Sequence, residues 1–134
     1  MPLEILILDD EPIVGQRLKA ALEKEGHRAE TFVDPLEAVA RLEDKTFDIV
    51  VTDIRMDNMD GIEILELVRK KNDRTKVIMI TGYATLEVAR ESLTKGAFDF
   101  IAKPFNLREM RQGIDKAIEA LKASDQKPPS GNAV

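Results

Sequence analysis

The chain of 134 residues contains no cysteine and no tryptophan, and it has only one histidine and one tyrosine. Without cysteine there is no disulfide framework, no thiol nucleophile and no thiolate ligand for zinc or an iron–sulfur cluster. A single histidine excludes metal sites that need several imidazoles. No apolar run approaches the ~20 residues of a membrane-spanning helix, and the N-terminus lacks the pattern of a secretory signal. We therefore expect a cytoplasmic protein that does not enter a membrane.

Positive charge is also in short supply. The chain carries 20 Lys and Arg against 25 Asp and Glu, which gives a formal net charge of -5. Sequence-independent binding to nucleic acid depends on cationic side chains that neutralise phosphates, so the acidic balance argues against it. The length is sufficient for one domain with a real core and too short for two.

Short apolar runs recur along the chain, at residues 5–8, 47–51, 77–80 and 98–101, with a weaker run at 29–33. Such runs are typical of strands that are buried on both faces, as in a parallel sheet. Stretches with helical spacing separate them, and Asn106 with Glu109 forms a capping-box pattern at the start of the fifth. The predicted buried faces are Val14, Leu18, Ala21 and Leu22; Leu36, Val39, Ala40 and Leu42; Ile62, Leu65 and Val68; Leu86, Ala89 and Leu93; and Leu107, Met110, Ile114, Ala117, Ile118 and Leu121.

Five strand–helix units in succession predict a doubly wound α/β domain with a parallel sheet and helices on both of its faces. We expect this domain to occupy residues 1–122. Residues 123–134, which include a Lys-Pro-Pro-Ser-Gly run, are expected to form a disordered tail or the start of a linker.

Polar side chains follow four of the predicted strands. Asp9 and Asp10 follow the first strand, Asp53 the third, Thr81 the fourth and Lys103 the fifth. Ligands of open parallel sheets bind beyond the carboxyl ends of the strands, so these groups are expected to share one edge. Carboxylates crowded together need a cation, and a set of hard oxygen ligands without soft ones selects Mg²⁺ or Mn²⁺.

This combination suits phosphoryl transfer, in which catalysis is mostly positioning and neutralisation of charge. A carboxylate can act as the nucleophile and form an aspartyl phosphate. Asp53 is the best candidate because it ends the middle strand, and Asp9 and Asp10 are better interpreted as metal ligands. Thr81 and Lys103 can each contact a phosphoryl oxygen.

Four motifs resemble those of the receiver domains of bacterial two-component response regulators, and the resemblance covers residues 3–122. They are Leu8-Asp9-Asp10-Glu11, Asp53-Ile54-Arg55-Met56 followed by Met59-Asp60-Gly61, Ile80-Thr81-Gly82, and Lys103-Pro104-Phe105. Each motif is weak alone, but four in order at strand ends are specific. The resemblance implies a flavodoxin-like fold, similar to chemotaxis regulators, with strand order 2-1-3-4-5.

The resemblance also implies a set of roles. Asp53 would accept a phosphoryl group from a phosphohistidine on a sensor histidine kinase or a histidine phosphotransfer protein. Asp10, Asp53 and the backbone carbonyl of Arg55 would bind Mg²⁺, and Asp9 would assist through water. Lys103 would contact the phosphoryl group. Thr81 would then move toward it, and the ring of Phe100 would swing inward.

The expected output is a change in the surface formed by the fourth helix, the fifth strand and the fifth helix, which could include formation of a homodimer. Apart from its own phosphorylation and dephosphorylation, the domain would have no enzymatic activity. The runs at 81–84 and 98–100 resemble receivers that are attached to transcriptional activators. Asp57 stands where the family usually has proline, which restores a backbone N–H and adds a carboxylate near the site.

Two other functions use a similar site. A Mg²⁺-dependent phosphatase that works through an aspartyl intermediate shares the acidic group and the lysine, but it usually needs an acid/base Asp where Arg55 stands, and a cap over the substrate. A nucleotide- or flavin-binding module needs a Gly-rich or hydroxyl-rich phosphate loop after the first strand. Asp9, Asp10 and Glu11 would repel phosphate there unless a metal were bound.

Overall fold

The structure is a computed structural model that describes residues 2–56, 59–82 and 85–126. In these residues strands and helices alternate without exception. They are β1 Glu4–Leu8, α1 Pro12–Lys24, β2 Arg28–Phe32, α2 Pro35–Asp44, β3 Ile49–Asp53, α3 Gly61–Lys71, β4 Lys76–Thr81, α4 Leu86–Thr94, β5 Asp99–Ala102 and α5 Leu107–Gln126. All strand pairs are parallel and the order is β2-β1-β3-β4-β5, which confirms the predicted fold.

The central strands are buried along almost their whole length, because helices cover both faces of the sheet. Every residue of β3 is buried, while Ala29 is the one buried residue of the edge strand β2. The structure places β3 two residues later than the apolar run at 47–51 predicts. Phe47 lies before the strand, although it is itself buried, and Asp53 becomes the last residue of the strand.

Two apolar layers flank the sheet. Leu18 and Leu22 of α1 pack with Met110 and Ile114 of α5 on one face. The other face is covered by α2 and α3, and Leu65 of α3 is among its fully buried residues. These layers confirm the predicted inner faces of α1, α3 and α5, apart from Leu107, which is exposed at the start of α5.

The predicted inner face of α2 is wrong in part. Leu36 is 58% exposed and Ala40 is also exposed, whereas Pro35, Ala38 and Leu42 are buried. The small side chain of Ala38, 0% exposed, lets the helix lie close to the sheet.

The predicted inner face of α4 is also wrong in part, since Ala89 is partly buried but both leucines are not. Leu86 and Leu93 are 67% and 51% exposed, and the fully buried residue of this helix is Ser92. Val88 packs against the core beside it and is partly buried. One residue corresponds to about 100° around a helix, so a shift of the buried face by a single residue, from Leu93 to Ser92, turns both leucines outward.

Side chains fix the ends of several helices. Asn106 Oδ1 accepts from the N–H of Glu109 at 2.8 Å, and Glu109 Oε1 accepts from the N–H of Asn106 at 3.4 Å, which confirms the capping box. The helix that follows, α5, continues to Gln126, four residues past the predicted domain end at 122. Residues 127–134 lie outside the described residues.

The last turn of α5 is attached to the body of the domain by Arg74, which lies between α3 and β4. Its Nε and Nη2 donate to the two carboxylate oxygens of Asp125 at 3.0 and 2.7 Å, and its Nη1 donates to Asp48 at 2.6 Å. None of the helices in the described ranges is long and apolar enough to cross a membrane.

Candidate functional site

The topology brings the predicted site residues to one edge of the sheet. Asp9 directly follows β1, Asp53 ends β3, Thr81 ends β4 and Lys103 directly follows β5. Because these four strands are neighbours in the order β1-β3-β4-β5, their carboxyl ends meet. The backbone N–H of Lys103 donates to the carbonyl of Thr81 at 2.8 Å and ties the last two strand ends together.

Four carboxylates gather at this edge. Asp9, Asp10, Glu11 and Asp53 each place an oxygen within 4.8 Å of the others. Asp9 and Asp53 are buried, while Asp10 and Glu11 are exposed. The group therefore has an inner half in the protein and an outer half in water.

Lys103 supplies the cation of the site. Its Nζ lies 2.8 Å from Asp53 Oδ2, 2.8 Å from Asp9 Oδ2 and 2.9 Å from Glu11 Oε1. Burial alone would lower the pKa of Lys103, but the close carboxylates of Asp53, Asp9 and Glu11 outweigh it and raise the pKa above its ordinary value. Lys103 therefore stays protonated at physiological pH.

Asp9 shows the opposite balance. Burial raises the pKa of Asp9, and the charge of Asp53 adds to the effect, although the nearby ammonium group of Lys103 and the hydrogen bond from the N–H of Glu11 act against it. Asp9 Oδ1 accepts that N–H at 2.8 Å. Asp9 Oδ2 is buried and is ion-paired with Lys103, but among the described residues it has no partner with hydrogen-bond angles.

This donor set fits a hard divalent cation. All four side chains offer carboxylate oxygens, and one of them, Asp9 Oδ2, is buried without an aligned donor. Mg²⁺ takes a few carboxylates and keeps several waters, which matches a site with two buried and two exposed oxygen donors.

The start of α3 packs directly against the end of β3. The N–H of Gly61 donates to the carbonyl of Ile54 at 2.8 Å, and a Cβ at position 61 would lie 2.3 Å from the carbonyl oxygen of Asp53. The N–H of Arg55 donates to Asp53 Oδ1 at 3.3 Å, and the side chain of Arg55 is exposed. The backbone of Gly61 thus lies so close to that of Asp53 that only glycine fits at position 61.

The two predicted switch residues are on neighbouring strands. Thr81 is fully buried, and Phe100 is partly buried on β5, opposite Met79 of β4. Phe100 packs against the same apolar layer as Val88 of α4. Asp57 and Tyr83, on which the sequence also raised expectations, lie outside the described residues.

Glu11 is the one carboxylate of the group to which the sequence assigns no role. Its contact with Lys103 joins residues 92 positions apart. The sequence feature that could have pointed to Glu11 is its place directly after Asp9 and Asp10, in the loop between β1 and α1.

The fold and the site define a doubly wound α/β domain with an acidic, lysine-containing pocket at the carboxyl edge of its sheet. Residues 5–115 match the family described as the response regulator receiver domain. The chain belongs to this family, whose members act in two-component signalling.

Relatives of known name are bacterial regulators. The chain is 33% identical to the nitrogen assimilation regulatory protein NtrX of Azorhizobium caulinodans, over 89% of the chain and 27% of that protein. It is 39% identical to the regulatory protein AtoC of Escherichia coli, over 86% of the chain and 25% of that protein. The chain therefore spans about a quarter of the length of these curated relatives.

Solved structures match nearly the whole fold. A CheY-like receiver domain from Methanospirillum hungatei is 34% identical, with a TM-score of 0.88 over 92% of this chain and 99% of that one. The beryllofluoride-activated dimer of the NtrC4 receiver domain is 30% identical, with a TM-score of 0.83 over 88% of this chain and 98% of that one.

Proposed function

We propose that Asp53 accepts a phosphoryl group from a phosphohistidine of a sensor histidine kinase or a histidine phosphotransfer protein. A carboxylate oxygen of Asp53 bonds to phosphorus while the phosphorus–nitrogen bond breaks, and the imidazole leaves with the electron pair and takes up a proton. The domain then carries an aspartyl phosphate, and its own hydrolysis returns it to the resting state.

One observation carries this proposal: the ammonium group of Lys103 lies 2.8 Å from Asp53 Oδ2, inside a group of four carboxylates. A transferred phosphoryl group brings negative charge to this point, and a preorganised cation stabilises such charge where it develops. Asp53 is almost fully buried but lies at a strand end, so it is shielded from bulk water and reachable from one side.

The same carboxylates would hold Mg²⁺, or Mn²⁺ in its place. We assign Asp10, Asp53 and the backbone carbonyl of Arg55 as ligands, with Asp9 acting through a water molecule. When bound, the cation neutralises charge on the phosphoryl oxygens and on the crowded carboxylates.

The phosphorylated state is proposed to differ from the resting state at Thr81 and Phe100. The Thr81 hydroxyl would donate to a phosphoryl oxygen and the ring of Phe100 would turn inward. A phosphoryl group can shift this equilibrium only by binding one arrangement better than the other. The partly buried position of Phe100, against the same apolar layer as α4, supports a link between the site and the surface of α4, β5 and α5.

That surface is the proposed output face, and Leu86 and Leu93 of α4 are exposed to solvent. A homodimer through this face is one proposed outcome, as a dimer is described for the activated NtrC4 receiver. We further propose that the receiver unit acts in the cytoplasm, that it extends past the expected boundary at 122 to the end of α5 at Gln126, and that it binds neither nucleic acid nor membrane.

Incubation with acetyl phosphate and Mg²⁺, followed by intact mass spectrometry, tests the proposal. We expect a gain of about 80 Da, equal to one phosphoryl group. The gain should be absent in Asp53→Asn and present in Asp60→Asn. The latter is a matched control, because Asp60 caps α3 and asparagine caps a helix equally well. An unmodified wild type, or a modified Asp53→Asn, would refute the proposal.

The phosphatase alternative makes a different prediction in the same assay. A phosphatase releases inorganic phosphate from many substrate molecules per protein, whereas a receiver stops near one phosphoryl group and then loses it slowly. Sustained turnover of a small phosphoester by the wild type, lost in Asp53→Asn, would favour the enzyme.

A further inference from the structure

Glu11 has an unusual position for its side chain. It is the N-cap residue of α1, but its side chain makes no capping hydrogen bond. Ser, Thr, Asp and Asn are the residues that cap helices well, because their short side chains reach the N–H groups of the first turn. The carboxylate of Glu11 instead reaches across the site to Lys103 Nζ, at 2.9 Å.

An ammonium group has three N–H donors, and Lys103 has three carboxylates around it. Two of them are fixed and out of water: the side chains of Asp9 and Asp53 are 0% and 7% exposed. The side chain of Glu11 is 61% exposed. Glu11 is thus the one partner that can follow the ammonium group when it moves toward solvent.

We propose that Glu11 is a positioning residue for phosphoryl transfer, which keeps the ammonium group of Lys103 paired while that group leaves Asp53 for an incoming phosphoryl oxygen. This inference rests on the proposed function of Asp53. Without Glu11, the ammonium group would depend on the two buried carboxylates alone. Withdrawal from Asp53 would then leave Lys103 with Asp9 as its single protein partner, so the reactive carboxylate would be freed less readily.

With acetyl phosphate as donor, the step is balanced. A carboxylate oxygen of Asp53 bonds to phosphorus, the bond from phosphorus to the acetate oxygen breaks, and acetate leaves with the electron pair. Lys103 stays protonated throughout and exchanges one hydrogen-bond acceptor for another. Glu11 does not touch the reacting atoms in this scheme and acts only through Lys103.

Two substitutions separate the contact from the charge. Glu11→Asp keeps the charge of the site, but its side chain is one methylene shorter and is drawn to the N–H groups of α1 as a cap. Glu11→Gln keeps the length and removes the charge. Glu37→Asp is the control, since Glu37 is exposed in the first turn of α2 and is not among the carboxylates around Lys103.

The first measurement is the NMR signal of the Lys103 ammonium group, without phosphodonor or metal, assigned by its loss in Lys103→Arg. We expect the signal to shift in both Glu11 variants. Its protons should exchange faster with solvent, because water replaces the carboxylate as acceptor in Glu11→Asp and a weaker, neutral amide oxygen replaces it in Glu11→Gln. The second is the rate of phosphorylation by acetyl phosphate at saturating Mg²⁺. We expect a fall of about two- to five-fold in both variants, the range for an ion pair with one exposed partner.

Glu11→Asp should be at least as stable to urea as the wild type, so lost folding cannot explain a slower reaction. An unchanged Lys103 signal, with or without a change in rate, overturns the proposal. A shifted signal with an unchanged rate also overturns it, because the contact would then have no part in the reaction. If the wild type itself gains no phosphoryl group, the proposed function fails, a result that the mass measurement reports separately from the Lys103 signal.

Discussion

Gly61→Ala is the sharpest test of how the site is built. A Cβ at this position would lie 2.3 Å from the carbonyl oxygen of Asp53, 2.8 Å from Ile54 Cα and 3.0 Å from Asp53 C. All three atoms are backbone, so no side chain can rotate to make room. The strand end that carries Asp53 and the start of α3 would have to separate.

The size of the effect follows from these distances. Ordinary contacts of a Cβ begin at 3.4 Å, so the carbonyl oxygen of Asp53 is 1.1 Å too close. Overpacking of this kind costs about 1–3 kcal/mol of unfolding free energy, and sometimes more. In a domain of this size, each kcal/mol lowers the melting temperature by about 4 °C. A displacement of ~1 Å at a reacting group can also slow a reaction by as much as ~100-fold.

The assay combines urea unfolding with the acetyl phosphate reaction. Gly82→Ala is the matched control, because it lies at the same edge of the sheet and its Cβ would meet nothing within 4 Å among the described residues. Gly26→Ala is a second control. Its Cβ would also meet nothing within 4 Å in the part of the chain that the structure describes, but Gly26 has a φ of +90°, so this variant isolates the cost of backbone strain.

We expect Gly61→Ala to lose both stability and phosphorylation rate, Gly26→Ala to lose stability alone, and Gly82→Ala to be neutral or slightly stabilised. A Gly61→Ala protein with the unfolding midpoint and phosphorylation rate of Gly82→Ala would refute the reasoning. It would mean that the backbone around Asp53 is not held at the distance described.

Three further outcomes are expected. Asp9→Asn should be more stable than the wild type at neutral pH, because burial raises the pKa of Asp9 and the ionisation of Asp9 therefore opposes folding. In urea unfolding, this gain in stability should vanish as the pH falls below the usual Asp pKa of 3.8, and a gain that grows in acid would contradict the prediction. Ser92→Ala should raise the unfolding free energy by about 1 kcal/mol, since the buried hydroxyl of Ser92 has no hydrogen-bond partner among the described residues. Ser124 is exposed, so the control variant Ser124→Ala should show a smaller rise in unfolding free energy. Asp125→Asn should speed amide hydrogen exchange in the last turn of α5 at low salt, because it removes the charge that pairs with Arg74. The same substitution should have no further effect in an Arg74→Gln protein; an equal effect with and without Arg74 would show that this ion pair does not hold the helix end.

The strands and their order follow from the sequence because the physics there is simple. Strands buried on both faces of a parallel sheet must be apolar throughout, so the runs at 5–8 and 77–80 predict β1 and β4 almost to the residue. The topology then fixes which residues meet at the carboxyl edge. Asp53 and Lys103 are therefore brought together as predicted, although they are 50 positions apart.

The orientation of short helices is harder to predict. In α4, Leu86, Ala89 and Leu93 form a regular apolar stripe, and a stripe that includes Val88 and Ser92 is only one residue away. The sequence favours the more apolar stripe, whereas the structure buries Ser92 and leaves Leu86 and Leu93 exposed. The contact of Glu11 with Lys103 was missed for a different reason: it depends on which way a long, exposed side chain turns, and no periodicity encodes that choice.

The inverted packing of α4 has a consequence for how the domain opens. A helix that buries a serine and exposes two leucines gains little free energy from its contact with the sheet, compared with α3, which buries Ile62, Leu65 and Val68. Segments with few buried apolar groups open locally at a small fraction of the free energy of global unfolding. Hydrogen exchange in α4 should therefore proceed through local opening, while β3 and β4 exchange only when the whole domain unfolds. The helix α4 can therefore change its position while the sheet and the other helices stay folded.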